Sequence, residues 1–291
     1  MLFKILFLSF VYDFSLREIE EQINDRLSFK WFLGLAVNDF SPDHSTLTVF
    51  RDRLEEAVFR IIFNRIVKQA KEKGLINDRL KIIDSTDLRA NVDLSRLARQ
   101  NEKKNSDGGR NNYIDKSSSD QDARFGRKSS KKRFYGYKQH IIIDGDSEII
   151  ENVVTTAGNI KDEQIMEPLL AEAKKLTDLR RRTKILTDKG YDTNANHELI
   201  EKRQCKSFII IKKNRKATKL RERMKTKIYR KTIKERYKVE RRFADGKSNH
   251  GLGKCRWLGQ WKTEIQNYLT ATVLNCKRIV VLLSRQSNIY L

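Results

Sequence analysis

The chain has 291 residues, 61 of them Lys or Arg against 38 Asp or Glu, for a formal net charge of +23. So large a positive excess points to a polyanionic partner, nucleic acid first, while 38% hydrophobic residues suffice for a real core. Three scattered cysteines with no C-x-x-C pair argue against a disulfide framework or a zinc knuckle, and four scattered histidines leave a hard, oxygen-bound metal as the metal to expect.

Met1 to Tyr12 is apolar like a signal peptide, but it breaks at Asp13, lacks a small-residue cleavage site and is too short to span a bilayer. It reads as a buried helix, and no membrane partner is expected. Ser15-Leu-Arg-Glu18 is a capping-box pattern, followed by Leu16, Ile19, Ile23 and Leu27 at helical spacing. Phe29 to Gly34 is an aromatic segment ending at glycine, and Ser41 to Thr46 is a turn leading into a long helix that stops near Gly74. Residues 1–76 therefore read as an all-α N-terminal domain. Such a domain can hold a helix-turn-helix, although helical period alone does not establish DNA binding.

The pattern then changes. Leu80 to Asp84 reads as a short strand ending on an acid, and residues 89–134 as a flexible, basic, poorly packed connection. Phe134–Ile143 and Glu148–Thr156 form a hairpin across Asp144-Gly-Asp-Ser147. A helix over Asp162–Leu176, a strand over Thr183–Asp188, a helix over Ala195–Gln204 and a strand over Ser207–Ile211 follow. A long basic helical region and a final core helix over Tyr268–Leu283 complete the chain. This order makes residues 77–291 an α/β domain with a mixed sheet. Neither a G-x-G-x-x-G nor a G-x-x-x-x-G-K-[ST] loop is present, so no nucleotide cradle is visible.

Asp84 and Asp188 both fall at expected strand ends, where sites collect in open α/β sheets, and Glu240 lies on a later helix with Arg236 and Lys247 at positions that share one side. Three carboxylates crowd together only if cations neutralise them. Two Mg²⁺ or Mn²⁺ ions, roughly 3.5–4 Å apart, would do so and would suit in-line displacement at a phosphodiester. Each residue alone has a plainer reading: a strand-end aspartate is a common turn former, and Glu240 is a surface ion-pair partner of Arg236. Glu201 to Lys247 holds twenty Lys or Arg against five Asp or Glu, a stretch fitted to phosphate backbone. Trp257 and Trp261 fit either base stacking or core packing.

At this point the chain resembles a family. Ser41-Pro-Asp-His-Ser-Thr-Leu-Thr-Val-Phe-Arg51, Ile83-Asp-Ser-Thr-Asp-Leu-Arg-Ala-Asn91, Phe134-Tyr-Gly-Tyr-Lys138, Thr155–Asp162, Leu186-Thr-Asp-Lys-Gly-Tyr191 and Arg236, Glu240, Lys247 occur in order. Together they resemble the DDE transposases of bacterial insertion sequences, in particular the insertion-sequence-five-like group. The resemblance departs at Ile233, where the group has tyrosine; Tyr237 is shifted from that position.

It implies an RNase H-like catalytic domain with Asp84, Asp188 and Glu240 as catalytic and metal-binding residues. Arg236, Lys247, Lys138, Lys189 and Arg241 become the expected DNA-binding cations. It further implies strand cleavage and transfer on double-stranded DNA at terminal inverted repeats and target, by a homodimer or higher assembly, in the bacterial cytoplasm at the nucleoid. Two other readings remain at this stage: an inactive or domesticated transposase-derived DNA-binding protein, and a basic RNA-associated structural protein. The latter explains the charge but not the ordered acidic blocks.

Overall fold

The computed structural model describes residues 1–96, 98–99, 119–127, 133–176, 179, 181–215 and 218–287. Most of the connection expected at 89–134, namely 100–118 and 128–132, lies outside the described residues. Its described part is more ordered than expected: Asp120 and Ala123 are buried, and Arg124–Arg127 forms strand β2.

Helix α1 (Leu2–Val11) is apolar nearly all round because it is buried on two sides. Leu6 and Phe10 enter the largest core, while Ile5 and Leu8 enter a second core with Ile19, Ile23 and Phe29. Helix α2 (Leu16–Asp25) starts with the full capping box, Ser15 and Glu18 each satisfying the other's backbone N–H. Helix α3 (Leu27–Leu33) stops where Gly34 turns left-handed, at φ 79°. Helix α4 (His44–Glu72) is capped by Asp43 and broken at Glu55, whose φ of 55° and ψ of 172° interrupt the helical ladder. Beyond that break, Phe59, Phe63, Val67 and Ala70 join the same core as the sheet.

The sheet comprises β1 (Leu80–Arg89), β2, β3 (Arg133–Asp144), β4 (Ile150–Ala157), β5 (Lys184–Thr187) and β6 (Lys206–Ile209). Its order is β4-β3-β1-β5-β6, with β2 also on β3. The pairs β1–β3 and β3–β4 are antiparallel, and β1–β5 and β5–β6 are parallel. This is the RNase H-like arrangement that the family resemblance implies. Strand alternation feeds two cores: Ile82, Ile141 and Ile143 enter one, Ile83 and Ile142 the other. Burial on both faces explains the near-continuous apolar run of these strands.

One face is covered by α10 (Gln260–Gln286) with α4, the other by α5 (Met166–Leu176) and α6 (Asn194–Lys202). Helices α7 (Thr218–Lys225), α8 (Lys227–Lys234) and α9 (Tyr237–Asn249) carry the basic stretch. Among the described residues no helix is long and apolar enough to cross a membrane. Trp257 packs against Phe10, centroids 6.0 Å apart, and under the Arg51 guanidinium at 4.3 Å, so it belongs to the packing; Trp261 remains 39% exposed.

Candidate active site

Register builds the site. The parallel ladder between β1 and β5 runs from Leu80 opposite Lys184 to Ile83 opposite Thr187. Asp84 and Asp188 are the next residue on each strand, so they emerge side by side where the ladder ends. Strands lie ~4.8 Å apart, which is the scale of their separation. Asp84 is not at a strand end, as the sequence suggested: β1 continues to Arg89, still paired with β3. Asp188 does leave its strand, capping a short 3-10 turn (Lys189–Tyr191) by accepting from the Gly190 N–H at 2.6 Å.

Arg236 links the third acid to this pair. It lies at the corner between α8 and α9, where its Nη2 donates to Asp84 Oδ2 at 2.9 Å and approaches Glu240 Oε1 to 3.5 Å. Glu240 is thus one guanidinium away from Asp84; its side chain is 57% exposed and does not line the cleft over the two aspartates. Burial raises the Asp84 pKa, opposed by Arg236 and assisted by the Asp188 charge. Burial also works against the charge on Arg236, but Asp84, helped by Asp188 and Glu240, outweighs it and the arginine pKa is raised.

The cleft over Asp84 and Asp188 holds about 340 Å³. Two acidic or phenolic groups at or under it, Asp162 and Tyr191, had no role assigned from sequence. Asp162, just past β4, lines the cleft and accepts from Lys138 Nζ at 2.9 Å; the same ammonium donates to Ile160 O at 2.9 Å. Tyr191 is fully buried, and burial holds its phenol well above the ordinary range, with Asp162, Asp84 and Asp188 pushing it further. The available signal was position: Asp162 closes the Thr155–Asp162 block and Tyr191 the Asp188-Lys-Gly-Tyr191 block. Gly190 is required by closeness, because a Cβ there would stand 2.8 Å from Asp188 Oδ1 and 3.5 Å from Asp162 Oδ2.

Among the expected DNA-binding cations, Arg236 and Lys138 line the cleft, and Lys247 Nζ reaches to 3.7 Å from the cleft residue Asp87. Lys189 is exposed beside Asp188. Arg241 is not brought to the cleft: its guanidinium forks onto Glu148, which also meets Arg242 and Arg278. Of the candidate tyrosine positions, Ile233 packs against the core, while Tyr237 is 52% exposed and does not line the cleft.

The Asp188 charge adds to the burial that raises the Asp84 pKa, and Arg236 supplies only one charge for the three acids. A hard, all-oxygen donor set of this kind suits a divalent metal.

A second acidic group competes geometrically. One oxygen each of Asp78, Asp144 and Glu151 lies within 4.8 Å of the others. Its centre is filled by the Lys81 ammonium, 2.5 Å from Asp78 Oδ1, 3.3 Å from Asp144 Oδ1 and closest of all to Glu151 Oε1. Asp144 is further occupied by Asp78 N, Asp146 N, Ser147 N and Ser147 Oγ, which fix the β3–β4 turn. Lys81, Asp144 and Glu151 have no exposure at all, so the centre of the cluster is closed to substrate even though Asp78, 2% exposed, borders a cleft. We read it as a buried ion network that ties β1, β3 and β4 together.

A mixed sheet thus sets two aspartates side by side with an arginine that reaches toward a glutamate, an oxygen-rich donor set that would suit a divalent metal. The chain belongs to the Transposase DDE domain family, whose model matches residues 77–276, and a second transposase-domain model (DUF772) matches residues 1–53. It is similar to the transposase for insertion sequence element IS1106 of Neisseria meningitidis serogroup B, at 30% identity over 160 residues. That match covers 54% of this chain and 51% of the relative, so the chain spans about half the length of that curated protein. Two solved structures of Mos1 transposase complexes align more weakly. The strand transfer complex shows 12% identity over 84% of this chain and 76% of that one; the paired-end complex with left transposon end shows 10% over 87% and 80%. Both have a TM-score of 0.25 and bear on none of the geometry above.

Proposed function

We propose that the protein is a transposase that cleaves and joins DNA strands at the ends of an insertion sequence, with Asp84, Asp188 and Glu240 as its catalytic carboxylates. The observation that carries this reading is the register of β1 and β5, which sets Asp84 beside Asp188, together with the Arg236 bridge from Asp84 toward Glu240. Asp84, Asp188 and Glu240 would hold two Mg²⁺ or Mn²⁺ ions. When bound, such ions lower the pKa of a coordinated water and neutralise charge on the leaving oxygen.

The chain's own residues supply the rest. Asp188 is held in one orientation by the Gly190 N–H, and Asp84 by Ser85 N–H at 2.9 Å. Lys138, with two of its three protons engaged by Ile160 and Asp162, keeps one donor for a phosphate oxygen. Lys247 and Lys189 place further positive charge at the rim, where phosphate contacts position a duplex without reading its sequence. The expected substrates are the terminal inverted repeats and a target duplex, engaged by a homodimer or higher assembly at the nucleoid.

The test is nicking of end-bearing duplex with Mg²⁺ or Mn²⁺. Asp84→Asn and Asp188→Asn should abolish nicking while duplex binding in EDTA persists. Wild-type protein that binds DNA yet never nicks it with either metal supports the inactive or domesticated reading instead.

A further inference from the structure

A second cleft among the described residues, of about 730 Å³, is larger than the one over the carboxylates, which holds about 340 Å³. It opens at the other end of the same ladder, where Leu80 pairs with Lys184. That end lies four strand residues, roughly 13 Å, from Asp84 and Asp188. The α8–α9 corner divides the two clefts: Arg236 lines the carboxylate cleft, while Lys231, Glu235 and Lys238 line this one.

The charge of the second cleft is one-sided. Arg79, Arg181, Arg182, Lys184, Lys231 and Lys238 line it. Two of its three acids are already neutralised, Asp78 by Lys81 at 2.5 Å and Glu235 by Lys238 at 2.7 Å. Arg79, Arg181, Arg182 and Lys231 are exposed and have no acidic partner among the described residues. The backbones of Arg79 and Arg182 are nonetheless fixed. Lys184 N donates to Arg79 O at 3.0 Å, and Arg182 N donates to Gln204 O at 2.8 Å. Arg182 is held left-handed at φ 75°, a strained state for arginine that persists only where its surroundings impose it. Unpaired cations on a fixed frame match a regular row of phosphates, and they leave desolvation of an apolar ligand unrewarded.

We propose that this cleft is a second seat for duplex DNA, gripping the phosphodiester backbone some four base-pair steps from the carboxylate cleft at ~3.4 Å per step. It shares with the proposed function only the premise that DNA is the partner, and it stands whether or not the carboxylates are catalytic. Each backbone contact of this kind steepens the salt dependence of binding by about 0.9 in the log–log slope.

The experiment measures duplex binding by the full chain in EDTA, across salt, with duplexes of about one and about two helical turns. The combined variant Arg79→Ala, Arg181→Ala and Lys231→Ala should lose about 2 to 3 in slope on the longer duplex and lose the affinity gained on lengthening. All three side chains are exposed, so the fold should survive, which a thermal melt confirms. The same number of charges removed from α4 (Arg60→Ala, Arg65→Ala, Lys68→Ala) should leave the length-dependent gain intact. Binding in EDTA is read without strand cleavage, which separates this seat from the chemistry. An unchanged slope in the cleft variant overturns the proposal, and so does an equal loss in the α4 variant. Wild-type protein that fails to bind duplex overturns the seat and the DNA partner together.

Discussion

Arg236 donates to Asp84 across 152 residues of sequence, and it is the same guanidinium that faces Glu240 one helical turn away. One cation therefore occupies the space between two of the three carboxylates assigned to metal binding. Its removal should leave those acids less neutralised and more receptive to a divalent ion. Arg236→Gln should bind Mn²⁺ in the absence of DNA roughly 5- to 30-fold more tightly, the ratio that 1–2 kcal/mol provides. Titration followed by the Mn²⁺ resonance signal measures this; weaker or unchanged binding would mean that Arg236 does not compete for the site.

Gly190 offers a test of how tightly Asp188 must be held. A methyl group at this position would press on the Asp188 oxygen that the Gly190 N–H already fixes. Gly190→Ala should retain the melting temperature to within a few degrees but reduce metal-dependent nicking by tenfold or more, on the order of 1.4 kcal/mol. Full nicking activity would show that Asp188 has room to move.

The two acidic clusters should respond in opposite ways. Glu240 is exposed, whereas Glu151 has no exposure and contacts Lys81. Glu240→Gln should remove nicking with little effect on stability. Glu151→Ala should destabilise by about 1–3 kcal/mol, since it leaves a buried gap and removes one of the three acceptors around Lys81, seen as a lower urea midpoint. If Glu240→Gln nicks normally while a folded Glu151→Gln does not, the assignment of the third carboxylate is wrong.

Stability should show two opposing proton linkages. Burial pushes the Glu151 carboxyl up from 4.5 to about 7, against the pull of Lys81. Between those values the native state holds a proton the unfolded chain has released, so stability falls as pH rises. Burial lowers His140 from 6.5 to about 4, so there the unfolded chain holds the extra proton and stability rises with pH. The two linkages oppose each other over this range, so removing either should tilt the wild-type profile in the sense of the one that remains. Glu151→Gln should unmask the His140 rise and His140→Gln the Glu151 fall, each on the order of 2 kcal/mol in urea unfolding. Parallel pH profiles in all three proteins would contradict this account.

Much of the fold was legible because its signals are local. The Ser15–Glu18 capping box, the Gly34 stop and the alternation through Ile82, Ile83, Ile141 and Ile142 each follow from residues a few positions apart. Asp84 was singled out for a reason only half correct, since β1 runs past it and its position beside Asp188 depends on where β5 stops pairing. Pairing between strands a hundred residues apart leaves no local trace. The same limit hid Asp162 and Tyr191 beneath the cleft and the diversion of Arg241 to Glu148. The Lys81 network was invisible because its acids come from three separate segments.

The most direct test of the central claim is nicking of end-bearing duplex by wild type, Asp84→Asn, Asp188→Asn and Glu240→Gln, each shown to be folded and to bind the duplex in EDTA. The expected result is Mg²⁺- or Mn²⁺-dependent nicking by wild type alone. Undiminished nicking by any one of the three variants would contradict the three-carboxylate site.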